Sequence, residues 1–519
     1  MSSLPSFLAA ASGPRGPSHD QRAACRSALA GAVALAVALG VGRFAFTPLL
    51  PLMLAGGELD IRHGGWLASA NYAGYFVGAM TCARIAVDPA RMVRAGLAAT
   101  VLLTFAMGLA SPFWVWALVR FVGGAVSAWT FVFASQWGLR RVVEHGAPAW
   151  GGVIYTGPGI GIVATGLIGF ALAGRHAALG WIGFAAASAV LTAFVWRAFG
   201  AAGAGTDGGQ SRGGAKRAGD GVGVADAAGR AGERLAAGAT GAAEGAEGAE
   251  AVADAVSAAN VADTADTANS ANSANSANSA NSANSANSAN SATATAERNS
   301  PVAGVAGQHG AMAAPAARAP HVESAAARRD AFWLVLLYGL PGFGYIITAT
   351  FLPVIARAAL PAHSRWPDLF WPMFGAALIA GALLGARLPS GWDNRLLLAA
   401  CCAVQALGVA LGIVWPTAPG FALGSTLVGL PFTAITLFAM REARRLRGER
   451  AAGLMGYATA SYGVGQIAGP LAAAPLAAHA GSFSPALWLA ATMLAVGAAG
   501  FAAVALRAWR AKTRGGGVG

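Results

Sequence analysis

Two arginines carry the chemistry this sequence offers. Arg43 stands in Gly42-Arg43-Phe44-Ala45-Phe46-Thr47-Pro48, near the middle of a long apolar stretch. Arg120, in Arg120-Phe121-Val122-Gly123-Gly124, lies nearer the end of another. A guanidinium at the centre of a hydrocarbon layer costs roughly 2.5–3.5 kcal/mol on insertion scales, so dipoles, water or a ligand anion must surround it. Arg43 is too deep to reach an interface, whereas Arg120 is close enough to an end to snorkel. Ala36, Gly40, Arg43 and Thr47 share one helical face of small and polar residues, so Arg43 should look into a bundle rather than at lipid. The chemistry implied is recognition of an anionic or zwitterionic group by a buried positive charge.

Other polar side chains recur at helical spacing. Asn71, Tyr75, Gly78 and Cys82 form one stripe, and Trp129, Phe133 and Gln136 another. Tyr155, Tyr338 and Tyr345 add phenols, and Tyr457, Ser461, Tyr462 and Gln466 come from one late stretch. Each can bond across helices as glue, and together they suit a cavity inside the membrane. The candidate substrate-binding set is Arg43, Asn71, Tyr75, Arg120, Gln136, Tyr155, Tyr345, Tyr457 and Gln466. None of the 22 acidic residues is expected inside an apolar stretch, and the eight histidines fall in loops, tails or the central insert. That argues against a carboxylate site for cations and against a titratable proton path. Four cysteines without a C-x-x-C pair imply no metal site, and no P-loop or cofactor motif is present.

The elements that must position these groups are twelve apolar stretches, each long enough to cross a bilayer as a helix. They span 27–54, 64–83, 95–111, 113–138, 150–173 and 178–198, then 331–355, 369–388, 395–415, 418–440, 451–476 and 485–506. The composition agrees, at 56% hydrophobic and only 11% charged. The expected fold is an all-α integral membrane protein of two pseudo-symmetric six-helix bundles, 27–199 and 330–507. A cytoplasmic N-terminal tail (1–26) and C-terminal tail (508–519) flank them. Residues 200–329 contain eight Ala-Asn-Ser repeats and no aromatic residue, and are read as a disordered cytoplasmic linker. The net charge of +13 is spread between spans and forms no basic face for nucleic acid. Alternate loops hold Arg84, Arg91 and Arg94, Arg140 and Arg141, and the Arg441–Arg450 cluster, which places both termini in the cytoplasm. Trp66, Trp114, Trp181, Trp366 and Trp371 lie near span ends and read as interfacial anchors.

The halves echo each other. Aligning Leu50-Pro51 with Leu352-Pro353 sets Arg43 opposite Tyr345. Gly157-Pro158-Gly159-Ile160-Gly161 in the fifth span is matched by Gly465-Gln466-Ile467-Ala468-Gly469-Pro470 in the eleventh, which predicts helix bends at Gly157, Pro158, Gly469 and Pro470. These features resemble the major facilitator superfamily. The Gly-Pro run is similar to its fifth-helix motif and Arg120 to Gly124 to its fourth-helix arginine motif, while Arg84, Asp88, Arg91 and Arg94 keep only a degenerate second-to-third loop motif. Gly40 to Pro51, with Trp66 to Tyr75, is similar to the YbfB/YjiJ group of bacterial carriers. The resemblance implies a monomeric secondary transporter in the bacterial cytoplasmic (inner) membrane, working by alternating access on a small organic solute. An efflux carrier of neutral or amphiphilic compounds is the rival reading. A transporter-like sensor is the alternative from another class, and a membrane enzyme lacks any clustered catalytic constellation.

Overall fold

The computed structural model describes residues 19–85, 87–147, 150–200, 325–385, 388–389, 391–448 and 451–515, and they are helical with short connections. The predicted linker falls almost wholly on residues 201–324, outside the described residues, as does most of the N-terminal tail. Among the described residues twelve membrane-length segments follow in chain order. In the first half these begin with α1 (His19–Leu35), which continues through a π-helical stretch, Ala36–Val41, into α2 (Phe46–Ala55). There follow α3 (Ile61–Thr81), α4 (Pro89–Leu109) and α5 (Phe113–Glu144). The fifth segment is broken into α6 (Gly151–Ile154) and α7 (Gly157–Ala171), and α8 (Ala177–Trp196) is the sixth. The second half has α9 (Ala325–Ala359), then a 3-10 turn at Trp366–Asp368 leading into α10 (Phe370–Gly385), then α11 (Asn394–Val414). One broken segment is α12 (Ala418–Gly429) with α13 (Phe432–Arg447), and α14 (Ala451–Ala480) and α15 (Ser484–Gly515) complete it.

Short polar residues start many of these helices. Asp60 accepts from His63 N, Asp88 from Arg91 N and Thr417 from Gly420 N, each satisfying an amide that the first turn leaves open. Asp88, in the degenerate loop motif, is therefore the N-cap of α4.

Ten segments are long and apolar enough to cross a membrane by composition; α3 and α14 are long but less apolar. These two pack against each other, one from each half, and α7 packs likewise on α10. The seam thus takes the helices whose polar groups lipid would penalise most. Along it Ser69 Oγ donates to Ile467 O at 2.8 Å and Thr47 Oγ1 to Ala349 O at 3.1 Å, and Tyr72 OH meets Thr350 Oγ1 at 3.1 Å. Glycine sets the spacing within the first half. A Cβ on Gly74 would lie 1.8 Å from Phe121 O, so only glycine lets α3 approach α5 so closely.

Three expectations change. Glu442 was placed in a loop, but α13 runs on to Arg447 and buries Glu442 at 1% exposure. The basic run around it hides a helix with one inward face: Arg445 Nη2 lies 2.6 Å from Glu442 Oε1, and Arg395 Nη2 lies 2.8 Å from Asp393 Oδ2. Arg395 Nη1 also lies 3.3 Å from Asp330 Oδ2, joining α9 to α11. Burial opposes the charge of Asp393, the Arg395 hydrogen bonds outweigh it, and its carboxyl is held below the ordinary carboxylate range. Secondly, Trp181 and Trp371 are buried inside the bundles rather than anchored at an interface, while Trp66, Trp114 and Trp366 are exposed. Thirdly, Arg120 does not snorkel; it is 3% exposed.

Candidate functional site

The first span is where regular helix fails, and that failure builds the site. Gly42 N bonds Val37 O at 3.0 Å and Phe44 N bonds Leu39 O at 3.0 Å, the wide spacing of a π turn. Pro48 has no N–H for Phe44 O, which accepts from Thr47 N at 3.2 Å instead. Thr47 N is thereby taken from Arg43 O, the partner it would have in an α-helix. Arg120 Nη2 donates to Arg43 O at 3.2 Å, and its Nη1 to Gly42 O and Nε to Leu67 O, both at 3.4 Å. Its guanidinium sits over Phe46, 4.8 Å from the ring centroid. Arg120 is thus a charged cap on the break in the first span. The break in turn carries Arg43 to the seam.

Arg43 is 2% exposed. Its Nη2 donates across the seam to Gln466 Oε1 at 2.8 Å, and Gln466 Nε2 donates on to Tyr345 OH at 2.8 Å. Its guanidinium lies 4.4 Å from the Tyr75 ring centroid, 5.1 Å from Phe44 and 5.2 Å from Tyr72. Arg43 and Tyr345, which the repeat alignment sets opposite each other, therefore meet at one glutamine from the eleventh span. The contacts described for the charge include a neutral amide and aromatic faces.

A wall of rings continues from there into the second half. Phe44 is 5.9 Å from Trp371, which stacks on Phe374 at 5.1 Å with planes 6° apart. Phe374 meets Phe432 edge-on at 5.5 Å, Phe432 meets Tyr345 at 4.9 Å, and Tyr345 stacks on Tyr462 at 5.9 Å. The sequence reading missed Trp371, Phe374 and Phe432. A tryptophan second in its helix reads as an anchor, whereas the chain is already buried at Pro367 and Asp368 in the 3-10 turn just before it.

The remaining candidates divide. Asn71 is fully buried and its Nδ2 donates to Arg120 O at 2.9 Å, so it ties α3 to α5. Gln136 is half-buried on α5. Tyr155 lies in the turn between α6 and α7 and packs 6.3 Å from Phe131, in a core separate from the ring wall. Tyr457 is 71% exposed. Nine residues from Gln466 on one continuous helix, it lies half a turn round from that residue. The two predicted bends also differ. Pro158 stands in the first turn of α7, after a real break, with Gly157 against Ala32 O and Gly161 against Gly40. Pro470 lies inside uninterrupted α14, where Gly469 lets that helix approach Phe343 and Ile346 of α9.

Comparison with known proteins matches this architecture. The model of a family described as "Uncharacterised MFS-type transporter YbfB" matches residues 35–219 and 286–501, most of both halves. Among solved structures, the crystal structure of a mutant of the nucleoside transporter NupG is similar in fold. It has a TM-score of 0.56 and 14% identity, covering 92% of this chain and 99% of that one. No curated protein matches the chain. Membrane-length helices, two packed halves and a family match over both of them describe a multi-pass secondary transporter of small solutes, not an enzyme, and the chain belongs to the YbfB-type family of major facilitator transporters.

Proposed function

We propose that this transporter carries a small anionic or zwitterionic organic solute by alternating access, with Arg43 as the counter-charge at the seam. The observation that carries the reading is the placement of Arg43. It is a guanidinium buried where the two halves meet, held by Gln466 and flanked by Tyr72 and Tyr75. The described carboxylates lie near helix ends or in connections. A solute that offers a carboxylate to this guanidinium gains a charge-assisted, two-pronged contact that a neutral solute cannot make. Because Arg43 and Gln466 belong to different halves, a solute competing with the Gln466 amide for Arg43 acts on the contact that joins them. The Lys/Arg bias supports both termini in the cytoplasm and, with the family, the cytoplasmic membrane of a bacterium. The ring wall favours a second reading, a carrier of neutral amphiphilic compounds.

The test is binding to purified protein. Arg43→Gln should keep the fold and weaken binding of an organic anion by about 1.5–3 kcal/mol, the size of a lost charged hydrogen bond. Arg43→Lys should restore only part. If Arg43→Gln binds organic anions as tightly as wild type, the anion site fails and the neutral reading takes its place.

A further inference from the structure

We infer that the anion carried here is borne on a flat unsaturated ring: the substrate class is aromatic organic acids. This rests on the anion reading and deepens it. Two observations independent of the charge point to the ring. One is the run of rings leading away from Arg43, Phe44 to Trp371 to Phe374 to Phe432 to Tyr345, with successive centroids 4.9–5.9 Å apart. Four of these five rings belong to the second half and Phe44 to the first, so the wall crosses the seam as the Arg43–Gln466 bond does. Offset and edge-on ring contacts are directional, and a planar solute can join such a wall on its face or its edge.

The other is an unanswered donor. Trp371 is fully buried, yet its Nε1–H has no hydrogen-bond partner among the described residues. Thr433 Oγ1, next to Phe432 in α13, is 1% exposed and likewise unanswered. A buried indole N–H ordinarily finds an acceptor, because leaving it dry is costly. Trp371 is itself a ring of the wall, and Thr433 follows Phe432 in α13; the wall leads back to Arg43 through Phe44. An aromatic acid with a ring acceptor or hydroxyl would meet Arg43 with its carboxylate, the wall with its ring, and Trp371 or Thr433 with its remaining polar atom. The indole and the threonine are then the residues that set specificity within the class.

Titration of purified full-length protein with benzoate, cyclohexanecarboxylate and benzamide separates the two readings. Benzoate keeps charge and ring, cyclohexanecarboxylate keeps only the charge, and benzamide only the ring. Benzoate should bind most tightly, with cyclohexanecarboxylate roughly tenfold weaker, the scale of an aromatic pair. Trp371→Leu should raise the Kd for benzoate toward that for cyclohexanecarboxylate and leave the latter unchanged. Trp371→Phe, which keeps a ring, should lie between, and 4-hydroxybenzoate should lose more than benzoate in that variant. If cyclohexanecarboxylate binds as tightly as benzoate to wild type, the ring inference is overturned while the anion site stands. If benzamide matches benzoate, the anion site itself falls. Binding of none of the three at millimolar concentration overturns both. Should Trp371→Leu fail to fold, the wild-type series and Trp371→Phe still decide.

Discussion

Arg43 and Arg120 are neighbours in the fold, Arg120 Nη2 donating to Arg43 O, yet their surroundings give them opposite parts. Every bond described for the Arg120 guanidinium goes to a backbone carbonyl of the first or second span, and its charge replaces amides that Pro48 and the π turn removed. Arg43 instead bonds a side chain from the other half. Arg120→Leu should therefore destabilise the protein without any ligand, by about 1–3 kcal/mol for buried carbonyls left unanswered. Thermal unfolding in detergent measures this, and an unchanged midpoint would remove Arg120 from the capping role. Arg120→Lys should recover part of the loss, since an ammonium reaches fewer of the carbonyls. Both arginines were conspicuous in the sequence because charge is rare in apolar spans. Which one caps and which one faces the seam was not legible, since that depends on where each head group ends after the first span breaks.

At the scale of elements, close approach of backbones holds the first half together and delivers Arg43. Gly40 in the π stretch faces Gly161 in α7, and a Cβ on Gly161 would lie 2.6 Å from Gly40 Cα and 2.7 Å from Ala36 O. Gly161→Ala should push these two backbones apart and lower the unfolding midpoint by the equivalent of about 1–3 kcal/mol, as overpacked cores do. Gly183→Ala in α8, with nothing within 4 Å of its new Cβ, is the control and should be neutral or slightly stabilising. Most spans were legible because apolar length is a local property of the chain. The errors fell at span ends. Glu442 was lost to a loop because the charges around it look solvated until Arg395 and Arg445 are brought to it. Trp371 was misread because nearness to a span end in sequence does not tell which way the first turn points.

For the whole molecule, composition carries predictions for the insert and for the orientation. Removing residues 205–324 and rejoining the ends should leave a monodisperse, membrane-inserted protein, because that segment lacks the apolar residues to contribute to a core. Size-exclusion chromatography after deletion checks it, and aggregation would contradict it. A periplasm-dependent reporter fused near Ser270 should be silent and one near His363 active; the reverse pattern would invert the molecule. By itself the sequence determined that the protein is helical, crosses a membrane many times in two related halves, and buries a positive charge in its first span. Each of these follows from local hydropathy and from the cost of charge in lipid, which act on residues close together in the chain. Only the tertiary structure decided that Arg43 meets Gln466, 423 positions away, and that Tyr345 joins them. The same holds for Trp371, whose buried ring reaches the site, while Tyr457 is exposed. Helical periodicity sets which residues share a face, but which face looks at the other half depends on how whole helices pack, through glycine contacts and a helix break that no single span contains.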